Sequence, residues 1–174
     1  MKTKISKFAI AFAAAMLSVG AFATDSGSGT MGVTASIGDE CSVGNAAVLG
    51  FGQLSMLANG SPSTAASAST SGGTFDAVCT SGTTTPKLKF SSANSSGTDF
   101  RLVGAVTTTY IVYTLAEAGG NAIAYNTVAS FTGFSADGTT KSLAIVGAIA
   151  SSEKTGKAKQ AYSDTITITS TYGI

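Results

Sequence analysis

The chain has no histidine and no tryptophan, only two prolines and two cysteines, and only 11% charged residues. Each shortage excludes something. Without histidine, the Ser–His and Cys–His nucleophiles are out of reach; only a Ser–Lys arrangement would remain, and the plentiful serines and lysines are not expected to form its S-x-x-K motif. Without histidine or a C-x-x-C pair there is no zinc-type ligand set, so no metal and no cofactor is expected. Without tryptophan or an aromatic cluster, a sugar-stacking surface is poorly supplied. A formal net charge of +1, with no basic patch, argues against nucleic acid and anionic membrane surfaces as partners. So little charge is unusual for a free soluble monomer and suits a surface packed against copies of itself. Long apolar runs are missing too. The single mostly apolar stretch, residues 8–19, falls short of the ~20 residues that cross a bilayer, so no membrane insertion is expected.

That stretch has another use. Lys2, Lys4 and Lys7 precede it, and Ala21-Phe22-Ala23 follows it as a small-residue cleavage site. The three parts in order read as a secretory signal peptide over residues 1–23, cut after Ala23. Removing its three lysines turns the net charge to −2. The remainder, 24–174, suits one domain with a real core. In an exported chain the cysteine pair Cys41 and Cys79 reads as a disulfide; it closes a loop of about 39 residues and is worth roughly 4 kcal/mol on the chain-entropy account.

What is abundant is glycine, alanine, serine and threonine, punctuated by short apolar clusters. Residues 24–29 read as a flexible Gly/Ser lead. Residues 30–37 alternate, with Met31, Val33, Ala35 and Ile37 on one face and Thr30, Gly32, Thr34 and Ser36 on the other. Residues 46–56 predict one short bent strand around Gly50 and Gly52, and 57–73 a loop. Strands follow at 74–80, 87–91, 100–105, 107–115 and 141–150, with 122–134 ambiguous and 151–161 a charged turn. The last strand begins at Thr165: Ile166, Ile168, Ser170 and Tyr172 point one way, and Thr165, Thr167, Thr169 and Thr171 the other. Short strands at regular spacing, with no competing helical periodicity, predict an all-β sandwich.

Several constellations look chemical. Gly27-Ser28-Gly29-Thr30-Met31-Gly32 matches G-x-G-x-x-G but lacks the flanking strand and helix. Asp39 and Glu40 are adjacent and suit a solvated turn better than a glycosidase pair. Asp164, at the head of the last strand, suits a turn-backbone acceptor. Asn94-Ser95-Ser96 fits a glycosylation pattern that is common by chance in so Ser-rich a chain. An enzyme is not expected.

Three segments together resemble the spore-coat-protein-U-like family, which includes the major subunits of archaic chaperone–usher pili. They are the alternating Met31-x-Val33-x-Ala35-x-Ile37 ahead of Cys41; Tyr110-Ile111-Val112-Tyr113; and Val146-Gly147-Ala148-Ile149-Ala150 followed by a Lys/Gly turn, Tyr162-Ser163-Asp164-Thr165 and the terminal strand. The resemblance implies an incomplete immunoglobulin-like β-sandwich, completed by donor-strand exchange: a 24–40 leader carrying the donor, then a 41–174 pilin domain. It implies Met31, Val33, Ala35 and Ile37 as donor pocket residues, and Ile166, Ile168 and Tyr172 as a wall of the acceptor groove. It implies neighbouring copies of the chain, a periplasmic pilus chaperone and an outer-membrane usher as partners. It also implies export through the periplasm to a fimbrium at the cell surface, supporting adhesion and biofilm formation. The chain departs from the family pattern at Ser170, where an apolar residue is usual, and at Gly173-Ile174, which extends past the terminal aromatic. Residues 30–37 also suit the first strand of a closed sandwich, which would make the protein a secreted monomeric binding module or coat protein.

Overall fold

The computed structural model describes residues 28–55, 57–58, 61–65, 69–106 and 108–173. The signal segment and its cleavage after Ala23 lie outside the described residues. The chain divides into a unit ending at Ser36 and a second spanning Ile37–Ile174. Of the first, residues 28–36 are described: exposed chain carrying no strand.

Among its described residues the second unit is all-β apart from one helical turn, with antiparallel sheets in a sandwich-like arrangement, as the strand spacing predicts. Its strands are β1 (Cys41–Gly44), β2 (Leu57–Ala58), β3 (Ser61–Ala65), β4 (Ser69–Cys79), β5 (Lys87–Ser92), β6 (Phe100–Gly104) and β7 (Tyr110–Glu117). After them come β8 (Ala122–Ile123), β9 (Val128–Ala129), β10 (Lys141–Ile149), the turn α1 (Ser151–Lys154), β11 (Tyr162–Ser163) and β12 (Ile166–Thr171). The larger sheet has the order β1-β4-β10-β7-β6-β11, with β8 beside β7; the smaller is β12-β5-β9; β2 and β3 pair with each other. Every described pairing is antiparallel.

Alternation places the core. On β7, Ile111, Tyr113, Leu115 and Glu117 turn inward and are buried; on β10, Leu143, Ile145 and Ile149 do the same. β-branched and aromatic side chains fit this pleated, half-buried setting. Facing them from the smaller sheet are Leu88 and Phe90 of β5. Phe75 of β4 meets Phe90 edge-on at 5.8 Å between ring centroids and Phe131 at 5.7 Å, bridging the two layers. The disulfide joins Cys41 to Cys79, which lie opposite one another on β1 and β4.

Three stretches differ from the sequence reading. Residues 46–55 carry no strand: at Asn45 and again at Gly52 the backbone takes a positive φ, and the run touches β4 only at separate points. Ala47 N–H donates to the Thr74 carbonyl and the Ser71 hydroxyl to that of Gly50. Residues 57–73, expected as a loop, hold β2, β3 and the first five residues of β4. Ser, Thr and Gly extend there because β10 offers a continuous edge as far as Ile149, opposite Ser69. The ambiguous 122–134 resolves into β8 on β7 and β9 on β5, so it passes from one sheet to the other and buries Phe131 and Phe134.

Candidate acceptor groove

The last two strands leave the sandwich open. β11 pairs with β6 in the larger sheet, and two residues later β12 pairs with β5 in the smaller. Asp164 sits at this switch. Its carboxylate accepts from the Tyr113 hydroxyl at 2.6 Å, from Asn94 Nδ2 at 3.1 Å and from the Thr165 N–H at 2.8 Å. Burial, and then the hydrogen bond to Asp164, push the Tyr113 hydroxyl far above its ordinary value, so it stays a donor. Asp164 is thus a structural acceptor that turns the chain between sheets.

β12 and β1 are both sheet edges, each hydrogen-bonded on one side. Between the run that follows β1 and the start of β12 lies a groove of about 360 Å³. One wall is the strandless run 46–51, the other 164–168; Phe75, Leu102, Tyr113, Leu115 and Ile145 form the floor. Leu49 and Phe51 lie against Gly147 of β10 so closely that a Cβ there would meet both at 2.8 Å. That close approach is what the glycine permits, and it sets the position of the wall. Ile166 and Ile168 of the sequence-expected wall line the groove and are half-buried, whereas the inward side chains of β7 are buried. Tyr172 lies past the end of β12, 41% exposed and outside the groove lining.

Of the four expected donor residues, Met31, Val33 and Ile37 are 86%, 80% and 89% exposed, and Ala35 is exposed as well. All are on chain without strand pairing. The sequence reading missed the 46–51 wall, because glycines in an apolar run signal a bend and not what lies beside it. It also passed over Ser151 and Lys154, which have serine–lysine motif spacing on α1. α1 is a single turn, and no hydrogen bond to the Ser151 hydroxyl is found among the described residues, so the pair lacks the geometry of a nucleophile and base. Among the described residues no cluster of three metal-ligating side chains occurs, and no helix is long and apolar enough to cross a membrane.

The spore coat protein U domain model matches residues 28–169. The chain belongs to that family. Spore coat protein U domains are structural domains of fimbrial and coat proteins served by chaperone–usher systems, and they are not an enzyme family. No curated protein matches the chain.

Proposed function

We propose that this spore coat protein U domain is the subunit of a secreted surface pilus and polymerises by donor-strand complementation, supporting adhesion and biofilm formation. Residues 30–37 of one copy lie in the groove of the next, with Met31, Val33, Ala35 and Ile37 turned to its floor. The observation that carries this is the apolar groove beside the unpaired edge of β12, in a chain that also holds an unpaired, alternating segment of matching period. Strand addition meets both needs at once: main-chain hydrogen bonds pair the open edge, and alternate side chains fill the groove. Burying Met31, Val33 and Ile37 stabilises by about 1.5–3 kcal/mol each. Ordering the leader costs about 1–2 kcal/mol per residue, so a groove already shaped by the disulfide and the core must supply the surplus. An open groove also calls for a temporary occupant before assembly; a periplasmic chaperone fills that role, and an outer-membrane usher delivers the subunit to the surface.

The test compares sheared surface material from the intact chain and from a Val33→Asp, Ile37→Asp variant on SDS gels, unheated and boiled. A ladder that collapses on boiling, and is lost in the variant while folded monomer persists, supports the reading. A lone monomer band from the intact chain, with the variant unfolded, means that 30–37 closes its own domain and favours the monomeric binding module.

A further inference from the structure

Past the groove lies a second cavity, of about 530 Å³. Its wall continues the groove on both sides: 52–54 follow the 46–51 run, and 160–162 precede the 164–168 wall. The charged side chains lining it are all basic, namely Lys154, Lys157 and Lys159. Lys154 is buried in the wall at 3% exposure, Lys157 Nζ donates to the Tyr110 carbonyl, and Lys159 is exposed. The nearest acid in sequence, Glu153, turns its carboxylate to the Val112 N–H.

An acidic pair stands on the other side of the domain, at the head of β1. There Asp39 and Glu40 lead into β1 with their side chains exposed, and the Glu40 carbonyl is held by the Thr80 N–H at 2.8 Å. The distance between the two follows from β4. Cys79 faces Cys41, and Ser71 reaches Gly50, eight residues along; at about 3.3 Å per residue the two are roughly 26 Å apart.

Direction then links the two poles. All described pairings in the domain are antiparallel, the sense with the better-aligned hydrogen bonds. A donor strand that pairs with β12 in this sense, with Ile37 beside Ile166, passes Thr171 at Gly32 and runs toward the Asp164 end. Its next residues, Gly38, Asp39 and Glu40, emerge at the lysine-lined cavity, with a reach of about 10 Å.

We propose that the acidic turn Asp39-Glu40 of each copy docks at the Lys157 and Lys159 face of its neighbour's cavity, and that this contact fixes the register of the donor strand. It builds on the donor-strand reading above. Register needs such a device, because a slip of one residue would turn Met31, Val33, Ala35 and Ile37 out of the groove. With one acidic and one basic pole per copy, the contact is head-to-tail and repeats along a filament.

The test uses fibres of the full chain and follows their dissociation half-time in urea, which leaves charges unscreened. Lys159→Glu and Asp39→Lys are each expected to speed dissociation about three- to tenfold, and the chain carrying both to return to within about twofold of the original. About 0.5 M salt should shrink the single-variant effects, because the contact is partly exposed. Lys159→Gln and Asp39→Asn give the same comparison without charge reversal if a reversed chain does not fold. Single variants that dissociate at the original rate, or a swap that fails to restore it, overturn the docking. The donor-strand reading stands in that case as long as Val33→Asp with Ile37→Asp still abolishes the ladder; if that double variant keeps the ladder, both readings fall.

Discussion

Residues 30–37 and 166–171 are written in the same pattern and meet different fates. Each alternates apolar with small polar residues, and each reads as a strand with one face to bury. The second pairs with β5 along its whole length, from Ile166 opposite Ser92 to Thr171 opposite Lys87. The first carries no strand, and its apolar side chains are exposed. Alternation therefore specifies a two-faced ribbon but not its pairing: a strand forms where an edge offers hydrogen bonds and a core offers contacts. β12 itself is only half provided for. One edge is paired, the other borders the groove, and Ile166 and Ile168 remain half-buried.

The largest expected effect comes from erasing the difference. A chain carrying a second copy of residues 30–37 after Ile174, joined by an Asn-Gly turn, should fill its own groove. It is expected to give no ladder and to gain several kcal/mol against urea, on the scale of about 1.5–3 kcal/mol per buried large side chain. Equal stability with an unchanged ladder would break the comparison. Next in size is the pin on β1. Cys41→Ala with Cys79→Ala should lower the urea-unfolding free energy by roughly 4 kcal/mol and weaken assembly, because β1 leads into the 46–51 wall.

A matched pair sharpens the contrast between a covered and an uncovered strand. Ile111→Ala, in buried β7, should cost about 2–5 kcal/mol, and Ile168→Ala, in half-buried β12, about half as much. In the self-filled chain the two costs should converge; urea midpoints of four chains decide it. The smallest effect concerns the far end of β7, away from Ile166 and Ile168. Burial pushes the Glu117 carboxyl up, but hydrogen bonds from Thr132 and Asn121 outweigh it and hold it below its ordinary 4.5. A lowered folded value means that the stabilisation is present above the ordinary one and is lost as pH falls through the folded one. The urea midpoint should be level from neutral pH down to about 5 and fall below about 4. Glu117→Gln should flatten that fall, and an unchanged acid slope in the variant would remove Glu117 as its source.

The strands at 87–91, 100–105, 107–115 and 141–150 were legible within a few residues, because branched and aromatic side chains alternate there and turn residues bound them. Residues 57–73 were not. Their Ser, Thr, Ala and Gly carry little preference of their own, and the upper half of β4 exists because β10 pairs with it. Period two put Ile166, Ile168 and Tyr172 on one strand face, and their place along a groove was what the family resemblance implied; Ile166 and Ile168 line the groove, while Tyr172, past the end of β12, does not. Leu49 and Phe51 became wall residues only through their fit against Gly147 on a strand about a hundred residues away, a contact that local pattern does not contain.

By itself, the sequence determined the class of fold, the cysteine pair and the presence of two alternating segments near its ends, because period, composition and cysteine count are local and survive without a partner. Only the tertiary structure decided that the chain switches sheets at Asp164 and that β1 and β12 each end a sheet, paired on one side among the described residues. It also decided that 46–51 and 164–168 come to flank one groove, over the core residues Phe75, Tyr113, Leu115 and Ile145. Those are relations between residues far apart in the chain, set by which edges are paired and which are left over once the core has closed.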